Sequence, residues 1–480
     1  MTLWTFQKPQ RNKEIVKEAI MELKKILGDS KVITQIETLK TKSLDFTPLF
    51  IAQTLRNMEI PLPDAIVTPE NTEEVSIVVK ISRKFNIPVI PMSGGSGVVG
   101  GIIATQGGIL VNLENLKIIE IDEDNMMVNV GAGVKGIELE ETLNKKGYTI
   151  GHYPQSMRES AVGGWIATKA IGQASTKYGG IEDIIVSLEI VLPTGEIINT
   201  KPAPRTSTGP DLKYLFIGSE GTLGIITSAK LKIRPQPKSQ ILLSYTFDNF
   251  NKGLKTAKDI IVKDLKPDII RLYDEDDALL WFSGIVDKPL MIIILEGEQE
   301  LIDAEKRIIQ NIATKNNGIW SGEELPSIWL KERFIAKEKA EQYMKMGLLI
   351  DTIELSGLWS KLPELHTKIK NNLKNIQEKD ATVLHTSAHA DHFYINGGCL
   401  YFTIGGISEN NPVYFYEKIW KTSMEICLSL NCSISDHHGI GLLRKPWIKQ
   451  ELGSTYILLK KIKNLLDPEN IMNPDKLLSD

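Results

Sequence analysis

An α+β fold of more than one domain follows from three features of the sequence. Short apolar runs alternate with amphipathic stretches through the first half, glycine-rich loops stand directly beside those runs, and the second half mixes strand-like segments with long polar helices. The 480 residues suffice for two to four well-buried cores. Hydrophobic residues at 42% and charged residues at 24% predict an ordinary soluble globular chain. With 56 basic against 60 acidic residues the net charge is −4, which gives no reason to expect nucleic acid as a partner. No apolar run reaches the roughly 18 residues of a membrane span. The start, MTLWTFQKPQRNKEI, lacks the apolar stretch of a secretory leader, and the end, LLSD, carries no retrieval tripeptide. A cytoplasmic protein is expected. Cys399, Cys427 and Cys432 are too few and too irregular for a disulfide or zinc framework and read as reduced packing thiols.

Residues 11–58 carry apolar positions at helical spacing in EIVKEAIMELKKIL, so residues 1–60 are expected to form a helical segment. AIVTP then reads as a short buried strand. NTEEVSIVVKISRKFN reads as a helix capped by Asn71 or Thr72, with acids in its first turn. IPVIPM is a second strand, SGGSGVVGG a glycine loop, and ILVNL, IIEID and MMVNVGAG are further short strands. VKGIELEETLNKKG is an amphipathic helix closed by Gly147. Residues 181–237 alternate strands and turns and leave through LKIRPQP, a proline-rich exit that marks a boundary and closes a domain over 61–237. Residues 238–425 combine the strands QILLSYTF, PLMIIILEGE and CLYFTIGG with polar helices over 302–315, 361–377 and 411–430, which predicts a second α+β domain with an antiparallel sheet. The tail 426–480 ends in a helix broken at Asp467-Pro468 and an extended stretch.

Pro91-Met92-Ser93-Gly94-Gly95-Ser96-Gly97 follows a strand directly. Glycines let successive amides converge on one point, and such a nest binds a pyrophosphate, with Ser93 and Ser96 as added donors. A single loop of this kind is usually only a turn. The spacing fits neither a Rossmann fingerprint nor a Walker A loop. Two more clusters, Gly163-Gly164-Trp165 and Gly218-Ser219-Glu220-Gly221-Thr222-Leu223-Gly224, also stand beside strands. Three in one stretch suit a large flat cofactor lying against backbone.

PDAIVTPENTEEV, IPVIPMSGGSGVVGG, SAVGGWIAT, YGGIEDIIVSLEIVLPTGEII and GSEGTLGIIT resemble, in order, the FAD-binding domain of the vanillyl-alcohol-oxidase/PCMH superfamily. GHYPQSM, PRTSTGPD, IIRLYDEDD, GGCLYFTI and DHHGIGLLRKPW are similar to alkyl-dihydroxyacetone-phosphate synthases and their prokaryotic FAD-linked oxidase relatives. The resemblance implies an enzyme with a PCMH-type FAD-binding domain of two subdomains, a substrate or cap domain, and a C-terminal segment returning to the flavin. It implies that Pro91 and the loop from Ser93 through Gly94, Gly95 and Ser96 to Gly97 hold the FAD pyrophosphate. Pro154, Ser156, Gly163, Gly164 and Thr168 would line the flavin and ribityl chain, and Glu220, Gly221 and Ile226 the adenosine side. The histidine that often bonds flavin covalently in this superfamily has no counterpart in the loop, so FAD is expected to be non-covalent. A homodimer is a family-level expectation.

Of the 7 histidines, five fall in LHTSAHADHFY and SDHHGIG, a clustering better explained by a site than by packing. By resemblance, His437 and His438 would stand near the flavin ring, Tyr401 would act as acid or base, and Arg271, His389 and His392 would hold an anionic end of the substrate. A lone arginine among apolar strand residues needs a partner, and Asp274 or an anion would serve for Arg271. Arg444-Lys445 would meet an anion or simply be solvated. The synthase's first histidine is replaced by Asp436 and an arginine by His389, changes that remove positive charge. His385 and His392 have the spacing of a metal-binding pair in the related 2-hydroxyacid dehydrogenases, with Asp436 and His437 to complete it, but the glycine-rich filling is absent and no metal is expected. The expected function is an FAD-dependent oxidoreductase for a small hydroxylated, anionic substrate such as a 2-hydroxy acid or polyol phosphate. The alternatives are a synthase-type transferase and an electron-transfer flavin subunit.

Overall fold

The computed structural model describes residues 3–4, 12–282 and 284–478. Residues 65–112 form a strand–helix–strand unit. The strand Ala65–Val67 leads into the helix Thr72–Lys84, whose Asn71 cap accepts from the Glu74 amide at 2.8 Å, and the chain returns as Val89–Met92. Ile109–Asn112 inserts between these two strands, parallel to both. Parallel strands covered on both faces read as continuous apolar runs, and AIV and ILVN are fully buried.

A second, antiparallel sheet orders its strands as Ile119–Asp122, Met127–Gly131, Ile225–Lys232, Ile185–Val191 and Ile197–Asn199. The 93–108 loop and the short helix Val162–Thr168 lie between the two sheets, so the glycine clusters meet where the two subdomains face each other. These two sheets give the two subdomains expected of a PCMH-type FAD-binding fold, with one addition. The N-terminal segment is helical over Lys13–Leu27, Ile36–Lys42 and Pro48–Leu55, but Val32–Ile33 pairs with Ala65–Val67 and extends the first sheet. Two β-branched residues between helices offer too short an alternation to be read as a strand without their partner.

The third sheet has eight strands, all antiparallel. At its centre the long strands Ala381–Tyr394 and Gly397–Ile407 pair with each other, flanked by Ile269–Tyr273 on one side and Leu349–Leu358 on the other. Helices Leu362–Lys374 and Pro412–Ser429 cover one face with Leu365, Ile369, Phe415 and Trp420, all fully buried. Full burial of such side chains stabilises by about 1.5–3 kcal/mol each. The opposite face looks toward the glycine loops. Among the described residues no helix is long and apolar enough to cross a membrane.

The last helix, Thr455–Leu466, ends at Asp467 before Pro468. Lys463 on that helix is buried and donates to Asp467, to the Thr222 carbonyl at 2.9 Å and to the Met472 carbonyl at 2.9 Å. Met472 then bridges to Val89, so the tail docks on the edge of the first sheet. Removing one member of a buried ion pair leaves an uncompensated charge, which costs about 3–5 kcal/mol. Lys463→Met should lower the unfolding free energy by that amount, read as a lower urea midpoint, and expose residues 468–478 to protease, and an unchanged midpoint would refute this account of the tail.

Candidate active site

One cavity of about 360 Å³ separates the glycine loops from the open face of the third sheet. Twenty of the residues singled out from the sequence line it: Pro91, the 93–97 loop, Pro154, Ser156, Gly163, Gly164, Thr168, Glu220, Gly221 and Ile226 on one side, Arg271, His389, His392, Tyr401, His437 and His438 on the other. Phe46, Ile51, Phe334 and Met344 add apolar lining.

The glycine side is shaped by close backbone approach. A Cβ on Gly94 would lie 2.5 Å from the Glu159 carbonyl, one on Gly163 2.7 Å from the Ser93 hydroxyl, and one on Gly221 2.3 Å from the Pro91 ring. Gly164 differs, since a Cβ there meets nothing and points to open space. Among the described residues the amides of 93–98 donate to no group of the protein, the condition for a nest that receives an anion. These residues fit FAD: the 93–97 loop would hold its pyrophosphate, and Gly163, Gly164 and Gly221 would let the cofactor lie against backbone. Glu220 lines the cavity and also holds the chain. Its carboxylate accepts from the amides of Ile440 at 2.6 Å and Gly441 at 2.8 Å, gripping the C-terminal turn.

On the sheet side the register does the positioning. Tyr273, His389, Tyr401 and Glu354 stand directly opposite one another across four strands. Because side chains alternate with period two, Arg271, Asp391 and Cys399 share that face one step along. A bulge between Asp391 and Tyr394 puts His392 at φ +48 and brings it to the cavity beside Asp391. There its Nδ1 meets the Ser175 hydroxyl at 2.9 Å. His389 Nδ1 faces Asp277 at 2.9 Å, which leaves Nε2 toward Arg271. Tyr401 stacks on His389 at 4.9 Å between ring centroids and meets His438 edge-on at 5.5 Å.

The partner of Arg271 is Asp391, at 3.3 Å. Asp274 lies beyond the strand end, where it caps the helix Glu275–Trp281 and binds His366 at 3.0 Å and Lys370 at 2.6 Å. Arg444, expected to be solvated or to meet an anion, is fully buried and pairs with Glu354 at 2.9 Å, while Lys445 meets Asp475 at 3.3 Å. Glu354 also accepts from the Ser435 hydroxyl at 3.0 Å and from the amides of Asp436 at 2.5 Å and His438 at 2.9 Å. His385 does not line the cavity, so the expected spacing with His392 assembles no metal set. Glu354, Cys399 and His437 do offer ligand atoms within 4.8 Å of one another, yet both Glu354 oxygens are already engaged. Asp391, Glu354, Asp277 and Ser175 were not singled out from the sequence. Asp391 had a signal, as the acid between two histidines in AHADH, and Glu354 had one as an acid, with Asp351, in an otherwise apolar strand.

Burial by itself would raise both carboxyls, but their cationic neighbours win. Arg444, with His438 and His437, holds Glu354 at about 2. His392, Arg271 and His389 hold Asp391 at about 2. The two adjacent imidazoles separate. Burial opposes charge on His437, but Asp436 at 3.1 Å and Glu354 outweigh it and raise its pKa. Burial and the charge on His437 push His438 well below the ordinary value, and its Nδ1 has no hydrogen-bond partner. Burial also lowers His392 to about 4, against the pull of Asp391. A depressed imidazole contributes stability that is complete above the unfolded value of about 6.5 and is lost as the pH falls toward the folded one. His392→Gln should therefore remove about one proton from those taken up on unfolding near pH 5, a slope change of about 1.4 kcal/mol per pH unit. Parallel plots of urea midpoint against pH for the two proteins would contradict this.

Residues 63–201 match the FAD binding domain family and residues 236–477 the FAD linked oxidases, C-terminal domain family. The chain is 32% identical over 470 residues to the uncharacterized FAD-linked oxidoreductase YgcU of Escherichia coli (strain K12), covering 94% of this chain and 96% of that protein. Among solved structures, alkyldihydroxyacetonephosphate synthase matches with a TM-score of 0.82 and 25% identity, over 98% of this chain and 87% of the other. p-Cresol methylhydroxylase with substrate bound matches in fold, with a TM-score of 0.79 at 16% identity over 98% of both chains. With both matched regions meeting at the cavity, the chain belongs to the FAD-linked oxidases, built on the PCMH-type FAD-binding fold.

Proposed function

We propose that this protein binds FAD non-covalently and oxidises a CH–OH group of a small hydroxylated substrate held against the histidine-bearing face of the third sheet. The observation that carries this reading is the split between His437 and His438. Two neighbouring imidazoles pushed in opposite directions at one cavity are an acid–base pair. When bound, the flavin supplies the two-electron acceptor. The chain supplies the proton handling and the orientation. His438, kept neutral by burial and by the charge on His437, accepts the hydroxyl proton. His437, held by Asp436, carries positive charge beside it. Burial first, with Glu354 and Asp391 behind it, keeps the Tyr401 phenol un-ionised as a donor to substrate oxygen. Non-covalent binding is supported by the 93–97 loop, which has no histidine. An exchange like that of the similar synthase is the second reading, favoured by the structural likeness and by the match of Tyr401 and Arg271 to its segments.

Tyr401→Phe and His438→Ala should each remain yellow but bleach about 10²–10⁴ times more slowly with an oxidisable alcohol under anaerobic conditions. Near-normal rates would return both to packing roles. Gly164→Phe should fold and purify without flavin, because its ring would occupy open cavity. A fully loaded variant would remove Gly164 from the cofactor site. Acid precipitation of the wild type should leave FAD in the supernatant, whereas flavin in the pellet would mean a covalent bond.

A further inference from the structure

We infer that Asp277 is a positioning residue of the substrate end. Acting through His389, it fixes the guanidinium of Arg271 and the ring of Tyr401 at the cavity, and it makes His389 an acceptor for Arg271. The inference rests on the oxidoreductase reading above for what those two groups then meet. Asp277 is wholly buried on the helix Glu275–Trp281, whose cap, Asp274, accepts from the Asp277 amide at 2.9 Å. Its Oδ1 accepts from the Ser387 hydroxyl at 2.6 Å, and its Oδ2 stands 2.9 Å from His389 Nδ1. Ser387 and His389 are two apart on the strand Ala381–Tyr394, so they share a face, and one carboxylate ties both.

The imidazole between Asp277 and Arg271 has one arrangement that satisfies both neighbours. A carboxylate only accepts and a guanidinium only donates. The proton of His389 therefore sits on Nδ1, toward Asp277, and the lone pair of Nε2 accepts from Arg271 Nη2. Asp391 Oδ2 is 3.7 Å from Nε2, too far for a hydrogen bond that would call for a proton there. Arg271 Nη2 also meets Asp391 at 3.3 Å, and the guanidinium stands 5.5 Å from the Tyr273 ring and 5.6 Å from that of Trp329. Because the group is planar, holding Nη2 from two sides sets the direction of its other N–H bonds. Tyr401 stacks on His389 at 4.9 Å with the ring planes 13° apart, so the plane that Asp277 fixes is the one against which the phenol lies. Arg271, His389 and Tyr401 line the cavity, whereas Asp277 stands behind them. Without Asp277 the ring is free to carry its proton on Nε2. That N–H would face an N–H of Arg271, donor against donor, and the guanidinium would have to move.

The test begins with the tautomer. FAD-loaded protein with isotopically labelled histidine nitrogens is compared by NMR with Asp277→Ala and with His389→Gln, which identifies the His389 signals by their loss. We expect the wild type to carry the His389 proton on Nδ1 and Asp277→Ala to transfer it to Nε2. A wild-type proton on Nε2, or on both nitrogens, overturns the inference, and so does a variant whose tautomer is unchanged. Should Asp277→Ala not fold, the wild-type tautomer decides alone. The second measurement is anaerobic bleaching with D-lactate, glycerol 3-phosphate and xylitol. Asp277→Ala should slow whichever of these reactions the wild type carries out by roughly tenfold or more, but by less than about twofold in a His389→Gln background. Equal losses in the two backgrounds would make Asp277 a packing residue and overturn the inference. The two arms also separate the two ideas. His389 protonated on Nδ1, with no bleaching by any of the three, would count against the oxidoreductase reading and keep the positioning. Bleaching with the proton on Nε2 would do the reverse.

Discussion

The buried pair of Glu354 and Arg444 is the constraint on which the active-site side of the molecule depends. Both side chains are wholly inside, and removing either would strand the other's charge. Glu354 spends its oxygens on Arg444, on the Ser435 hydroxyl and on two amides of the 435–439 turn. Arg444 closes the ring by donating to the Gly439 carbonyl at 2.8 Å. The two histidines are thus fixed in place by a carboxylate that does not face the cavity. From the opposite side Glu220 takes the next two amides of the same segment, so carboxylates from both domains grip one turn. The turn is the joint at which the glycine-loop domain and the cap meet.

Backbone geometry governs the other wall. Where Gly94, Gly163 and Gly221 stand, a Cβ would overlap a carbonyl, a hydroxyl or a proline ring, so the loops can pack only without side chains. The 93–98 amides, which donate to no group among the described residues, would be open to a ligand. The C-terminal tail completes the support. Asn473 donates to the Glu220 carbonyl at 2.7 Å and to the Gly101 carbonyl at 3.0 Å, and Lys476 to the Ile103 carbonyl at 2.8 Å.

Charge in the cavity follows from which groups are already paired. Arg271 and Asp391 neutralise each other, Asp277 orients His389, and Asp436 supports a charge on His437 that then suppresses charge on His438. The result is an interior in which His438 and His392 are held toward the neutral form while His437 is favoured as the cation.

Local pattern sufficed wherever the signal was local. The capped helix after AIV, the glycine loops and the polar helices of the cap are all set by periodicity, capping residues and glycine content, and the order of motifs identified the family and the residues that line the cavity. Pairing across distance was not legible. The Val32–Ile33 strand exists only because Ala65–Val67 lies beside it. Arg271 meets Asp391 rather than Asp274 because sheet register puts two residues 120 positions apart on one face and turns the nearer one away. Arg444 looks like a surface cation in sequence and is a core residue because Glu354 waits there. Chain order fixes which groups are available, whereas burial and partners fix their charge, and both of those are properties of the folded arrangement alone.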